Sequence, residues 1–165
     1  MSTGRRHESL IPLSREHHYG LLVCLRIQRG LTTHKTDLDW LRERAGKVIH
    51  FFQSDLKTHF EVEEEIVFPA MSGVEEARAT IGELLGEHRN LATLVGQLQQ
   101  AAGSELARLL REFANLLEAH IRKEERVLFP YYERNVLPKQ AAQVKNRVLQ
   151  TIGTAMKPRH PFLLE

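Results

Sequence analysis

The sequence predicts an all-α protein: an up-down-up-down four-helix bundle with a short additional C-terminal helix. Three observations carry this. Helix formers (Leu, Ala, Glu, Arg and Gln) dominate, and β-branched runs are absent. Apolar residues recur every three or four positions along four long segments. Gly and Pro fall mostly where those segments end. Short connections between long helices make neighbours antiparallel. The 165 residues read as one domain, 1–165. Its core spans about 10–135, and the last helix about 138–153.

The elements follow in order. Helix α1 is predicted from Leu13 or Ser14 to Arg29, with Gly30 as its stop. Helix α2 begins near Asp37, where Thr36 with Asp39 resembles a capping box, and runs to Met71 with Pro69 disturbing its last turn. Ser72 and Gly73 break the chain. Helix α3 spans Glu75 to Ala101, and Gly103 ends it. Gly82, Gly86 and Gly96 inside it cost about 1 kcal/mol each relative to Ala, which close approach of a neighbouring helix would explain. Ser104 suits the N-cap of α4, which runs to Asn135. Pro138 separates it from α5, Lys139 to Ile152. The tail KPRHPFLLE is expected to be loosely held.

Composition narrows the function. Apolar residues make up 42% and charged residues 27%, the balance of an ordinary globular domain. Net charge is +2 with acids and bases interspersed, so no basic stripe for nucleic acid exists. The single Cys24 excludes an internal disulfide and a cysteine-rich zinc site, and a reducing cytoplasm fits best. The N-terminal MSTGRRHESLIPLS has no apolar run like that of a signal peptide, and no stretch approaches the ~20 apolar residues of a membrane span.

An internal repeat is the main signal. Residues 49–70 read IHFFQSDLKTHFEVEEEIVFPA and residues 110–131 read LREFANLLEAHIRKEERVLFPY. At a constant offset of 61 residues, Phe52 falls on Phe113, His59 on His120, Glu63 on Glu124, Phe68 on Phe129 and Pro69 on Pro130. Ile49, Phe52, Leu56, His59, Glu63, Ile66 and Ala70 share one helix face. Leu110, Phe113, Leu117, His120, Glu124, Val127 and Tyr131 form the matching face of α4. Each face is apolar except for one His and one Glu a turn apart. A glutamate aimed into an apolar core is costly unless a cation or donor compensates it, and this chain does so twice. Without a cation the two carboxylates should repel, and one is expected to keep its proton with a raised pKa.

The other helices add histidines. His88 lies on the apolar face of Ile81, Leu84, Leu91, Val95 and Leu98. In α1, His17 shares a face with Leu10, Leu13, Leu21, Cys24 and Leu31, whereas His18 lies with Ser14, Arg15, Leu22, Leu25 and Arg29. This favours His17 as the inward residue. A lone histidine on an apolar face is ordinarily a core residue with a backbone partner; one from each of four helices beside two glutamates calls for a metal. Six such ligands shared by two metals leave open positions, and imidazole with carboxylate suits iron, with manganese or zinc as competitors. Glu64 and Glu125 are candidates to hold the ligands in place. The acidic run Glu61 to Glu65 is otherwise a solvated face. His50 stands about 13 Å along the helix from His59, too far for the same metals. His7, His34 and His160 read as surface residues, while Tyr19, Tyr131 and Tyr132 could approach the site.

The pattern H…HxxxE…H…HxxxE, with HFEVEEEIVFP and HIRKEERVLFP, resembles the hemerythrin-like HHE cation-binding domain over about residues 10–135. The resemblance implies a four-helix bundle with a non-haem di-iron centre. It implies that His17 (or His18), His59, His88 and His120 ligate metal while Glu63 and Glu124 bridge the pair. Ala92 stands where the oxygen-carrying members have a further histidine one turn after the α3 ligand. The chain is therefore closer to the four-His, two-Glu members, such as iron-centre repair proteins. The expected function is to bind or sense dioxygen, nitric oxide or redox state. A peroxide-consuming enzyme and an iron store or donor for repair are the alternatives.

Overall fold

A computed structural model describes residues 5–153, so the tail, with His160, lies outside the described residues. The described chain is helical with no strand, in the predicted bundle arrangement. Helix α1 is Ile11–His34. Helix α2 covers 38–70 as Leu38–Phe51, Lys57–Val62 and Phe68–Ala70, joined through two wider π-helical turns, Phe52–Leu56 and Glu63–Val67. A 3₁₀ turn, Glu75–Ala77, leads into α3, Arg78–Gln100. Helix α4 joins Glu105–Lys123 to Phe129–Asn135 through a π-turn, Glu124–Leu128. Helix α5 is Pro138–Ile152.

Contacts across the bundle show the antiparallel order. Gly30 meets Trp40 while Glu16 reaches His59, and Gln28 reaches Glu118 while Ser14 reaches Glu125. Lys123 pairs with Glu83 and His120 with Glu87, so α3 and α4 also run oppositely. Helix α5 folds across the ends of α2 and the start of α1.

Several boundaries differ from expectation for identifiable reasons. Gly30 does not stop α1, which continues to His34. A Cβ there would lie 2.1 Å from the Trp40 ring, so this glycine serves a close approach rather than a C-cap. Asp37, not Thr36, caps α2: its side chain accepts from the Trp40 amide. Ser104 precedes α4 without a side-chain cap bond. The α3 glycines do not serve a close approach: Gly82 and Gly96 have no outside atom within 4 Å of a Cβ, and Gly86 meets only the end of Arg89.

The π-turns matter most. Each begins or ends near the repeated motif, and two start at Glu63 and Glu124 themselves. Pro69 and Pro130 follow; a proline cannot donate to the carbonyl four before it and its ring presses on that carbonyl. A widened turn just ahead absorbs the conflict, with Phe68 N–H donating to Glu63 O and Phe129 N–H to Glu124 O, five residues back. The extra residue rotates everything after it. Beyond Glu124 the inward positions are Leu128 and Tyr132, while Val127 is 38% exposed and Tyr131 half-buried. Met71 likewise replaces Ala70, and at the earlier π-turn Val48 and Phe51 are buried where Ile49 and Phe52 are half-buried.

The core divides into two apolar clusters. One gathers Val23, Ile27, Leu41, Val48, Leu91, Leu98, Leu110 and Phe113; the other gathers Leu10, Leu13, Val67, Leu84, Leu128, Phe129 and α5 residues Val144 and Val148. The histidines and glutamates lie in the layer between these plugs, which exclude water from both sides.

The two kinds of glycine predict opposite outcomes. Gly96→Ala should stabilise the fold by about 0.5–1 kcal/mol through helix propensity alone. Gly30→Ala should instead destabilise by about 1–3 kcal/mol, because Trp40 must leave its stack on His34. Denaturant titration read by the fluorescence of this lone tryptophan measures both, and a stabilising Gly30→Ala would refute the close-approach role.

Candidate metal centre

Helix periodicity delivers four histidines and two glutamates to one layer. His17, His59, His88 and His120 are buried, as are Glu63 and Glu124, which have no exposed surface. They form two groups of potential ligands, His17–His59–Glu63–Glu124 and Glu63–His88–His120–Glu124, with donor atoms all within 4.8 Å of one another in each. Both glutamates belong to both groups. Glu63 turns Oε1 to His59 Nε2 (2.8 Å) and His17 Nε2 (3.5 Å), and Oε2 to His88 Nε2 (3.2 Å). Glu124 turns Oε2 to His17 Nε2 (2.9 Å) and Oε1 to His120 Nε2 (3.4 Å). Each carboxylate thus presents one oxygen to each half of the site.

Both oxygens of Glu63 and Glu124, with Nε2 of His88 and His120, are buried without a geometrically sound hydrogen bond. Unsatisfied buried polar atoms cost about 1–3 kcal/mol each, more when charged, and here six converge. Donors about 2 Å from a common ion and within 4.8 Å of each other are what a cation would satisfy. The residues therefore fit a pair of metal ions.

The outward nitrogens are held differently. His17 Nδ1 bonds Glu125 Oε1, His59 Nδ1 bonds Glu16 Oε2, His88 Nδ1 bonds Glu64 Oε1 and His120 Nδ1 bonds Glu87 Oε2, all at 2.7 Å. A carboxylate only accepts, so each Nδ1 carries hydrogen and each Nε2 faces the centre. Glu64 and Glu125 hold two of the buried histidines, the positions at which the sequence offered them as supporting groups. Glu16 and Glu87 do the same and were not singled out for that role. Their signal was present: each directly precedes a buried histidine, but its partner sits on the next helix, beyond the reach of local spacing.

His18 is exposed and meets Tyr19 rather than the site, so the structure brings His17 alone from that pair into the layer. Ala92 is exposed, so that position faces away from the centre. His50 is exposed as well. His7 is less superficial than expected: it is half-buried and bonds Ser9, whose hydroxyl in turn hydrogen-bonds the buried Tyr132. Aromatic rings wall the site, with Phe129 stacked on His17 and Phe60 and Phe68 on His88. Cys24 is buried beneath it, and burial pushes its thiol up to about 12. It should resist thiol reagents until the protein is unfolded, in a simple comparison of labelling with and without denaturant.

Protonation departs from expectation. Burial alone would raise the Glu63 pKa, but the charge of His59 and the close approach of His17, His59 and His88 to its oxygens outweigh it and hold Glu63 well below the usual range. Against Glu63, the proton therefore favours the imidazoles of His17 and His59. Burial pushes His59 down, yet the charge of Glu63 beside it and the bond to Glu16 lift it to about 9. His17 is raised likewise, by Glu124, Glu125 and Glu63 against burial. A pKa raised on folding adds stability that is complete below the unfolded value and lost as pH climbs through the folded one. The metal-free melting temperature should therefore fall from about pH 6.5 to 9. Metal affinity should rise over the same window, since metal displaces those protons. Calorimetry at three pH values checks both, and a flat metal-free profile would contradict proton storage on His59.

Among the described residues no helix is long and apolar enough to cross a membrane. No curated protein and no solved structure matches the chain. The family model described as the hemerythrin HHE cation binding domain matches residues 11–145, a span that contains every buried histidine and glutamate of the centre and all four helices that carry them. The chain belongs to the hemerythrin HHE cation-binding domain family.

Proposed function

We propose that the protein holds two iron ions, bridged by Glu63 and Glu124, and uses them to bind or sense dioxygen, nitric oxide or redox state. The observation that carries this is the pair of four-residue groups sharing both glutamates. Two imidazoles and two carboxylate oxygens per ion leave positions for a small diatomic or peroxide ligand, and the mixed donor set suits iron over softer or harder metals. Iron in such a site supplies reversible ligand binding and one-electron chemistry. The chain's own part is to orient the imidazoles, hold the carboxylates and keep the centre dry.

One feature of the interior favours binding or sensing over peroxide turnover. Among the described residues, the buried polar and charged side chains besides these six are Ser9 and Arg44. Ser9 is taken up by His7 and Tyr132. Arg44 lies against Trp40, at the other end of α2 from Glu63. A ligand at the centre meets Phe60, Phe68 and Phe129 rather than an uncommitted acid or base, which breaking an O–O bond would call on. A reducing cytoplasm suits the lone cysteine.

Iron-replete expression should give about two metal ions per chain, mainly iron. His17→Ala should lose iron or change the absorption spectrum, and His18→Ala should do neither. Protein without metal after such expression would sink the proposal. The double variant Glu63→Gln and Glu124→Gln should be less stable than the parent when metal-free, because it strips the anions that hold charged imidazoles in the core. It should also gain little from anaerobic ferrous iron in a thermal melt. A gain equal to the parent's would disprove the bridging role.

A further inference from the structure

The four outer glutamates form a closed circuit. Glu16 on α1 holds His59 on α2, and Glu64 on α2 holds His88 on α3. Glu87 on α3 holds His120 on α4, and Glu125 on α4 holds His17 on α1. Every helix gives one carboxylate to the next and receives one from the helix before. We propose that Glu16, Glu64, Glu87 and Glu125 are positioning residues that aim the four Nε2 atoms inward and lower the reduction potential of iron bound there. The second half of this rests on the di-iron reading; the first does not.

Six carboxylates gather around one site, two buried and four at its edge. Glu63 and Glu124 face the centre and four more carboxylates stand one imidazole further out. Six carboxylates match two ferric ions and exceed the charge of two ferrous ions. Cations nearby do not reverse this. Arg6 pairs with Glu125 but also with Glu133, and Lys123 pairs with Glu87 but also with Glu83. Each therefore brings an additional acid. A carboxylate accepting from Nδ1–H also increases the electron donation of the opposite nitrogen, and outer groups of this kind commonly alter metal affinity 10–100-fold. Both effects favour the oxidised metal.

Glu64 gives the cleanest test. Its side chain is 42% exposed, so its replacement does not threaten the fold, and its carboxylate bonds His88 Nδ1. Glu65 is the matched control: it is exposed, carries the same charge next in sequence, and its side chain touches no imidazole. In metal-free protein labelled with ¹⁵N-histidine, Glu64→Gln should shift the ring nitrogens of His88, on another helix, and leave His120 unmoved. Glu65→Gln should shift neither. An unchanged His88 overturns the positioning role whether or not iron binds. In iron-loaded protein, spectroelectrochemical titration should show a higher midpoint potential for Glu64→Gln than for the parent and for Glu65→Gln. Equal shifts in the two variants would reduce the effect to general surface charge and overturn the tuning role. Failure of the parent to take up iron at all would count against the di-iron reading, leaving the nuclear magnetic resonance arm to decide positioning.

Discussion

Burying two carboxylates in an apolar core is the constraint on which the rest of the structure depends. Glu63 and Glu124 have no exposed surface, and an uncompensated buried anion costs several kcal/mol. Four imidazoles answer that charge, and four outer carboxylates hold the imidazoles. The outer carboxylates sit at the edge of the bundle, between 15% and 42% exposed, where water screens what the interior could not tolerate. Charge is thus graded outward from the centre. The apolar clusters above and below close the two directions the side chains leave open.

The same bonds set the register of the helices. Hydrophobic packing alone tolerates sliding by a turn, because one leucine face resembles another. Here a slide of one helix by a turn breaks two carboxylate–imidazole bonds, one given and one received, and withdraws a ligand from the centre. Polar groups buried in this way specify one arrangement among several that are similarly apolar. Glycine contributes where helices approach most closely: a Cβ at Gly20 would stand 2.8 Å from Ile121 on α4, near the Glu125–His17 link.

Much of this was legible in the sequence because it has helical period. The apolar face of α3 through Leu84, His88, Leu91, Val95 and Leu98 is buried as read, and the choice of His17 over His18 followed from neighbours three and four residues away. Features without that period were not legible. The π-turns at Glu63 and Glu124 add a residue to a turn, so an unbroken α-helical count placed Val127 and Tyr131 inward where Leu128 and Tyr132 lie. Gly30 reads as a stop because its partner, Trp40, is on another helix. The bonds of Glu16 and Glu87 were hidden for the same reason, since the histidines they hold are on other helices. The direction for Glu63 was not legible because the two carboxylates were weighed against each other without the imidazoles that approach them.

The circuit also shows how far the internal repeat extends and where it ends. Helices α1 and α2 relate to each other as α3 and α4 do: Glu16 and His17 correspond to Glu87 and His88, and His59, Glu63 and Glu64 to His120, Glu124 and Glu125. The two halves of the centre are therefore built alike, and a perfectly repeated chain would make two equivalent metal positions. The N-terminal segment breaks that equivalence. Arg6 and Ser14 both engage Glu125, and Arg6 lies over Phe129, the ring stacked on His17. The corresponding acid, Glu64, has no such clasp and faces water. A clamped carboxylate with a cation upon it pushes less electron density into its imidazole than an open one does, and it holds the ring more rigidly. The Glu125–His17 pair is accordingly held by more contacts than the Glu64–His88 pair. A bundle that is symmetric in its ligands becomes asymmetric through residues that never touch the centre.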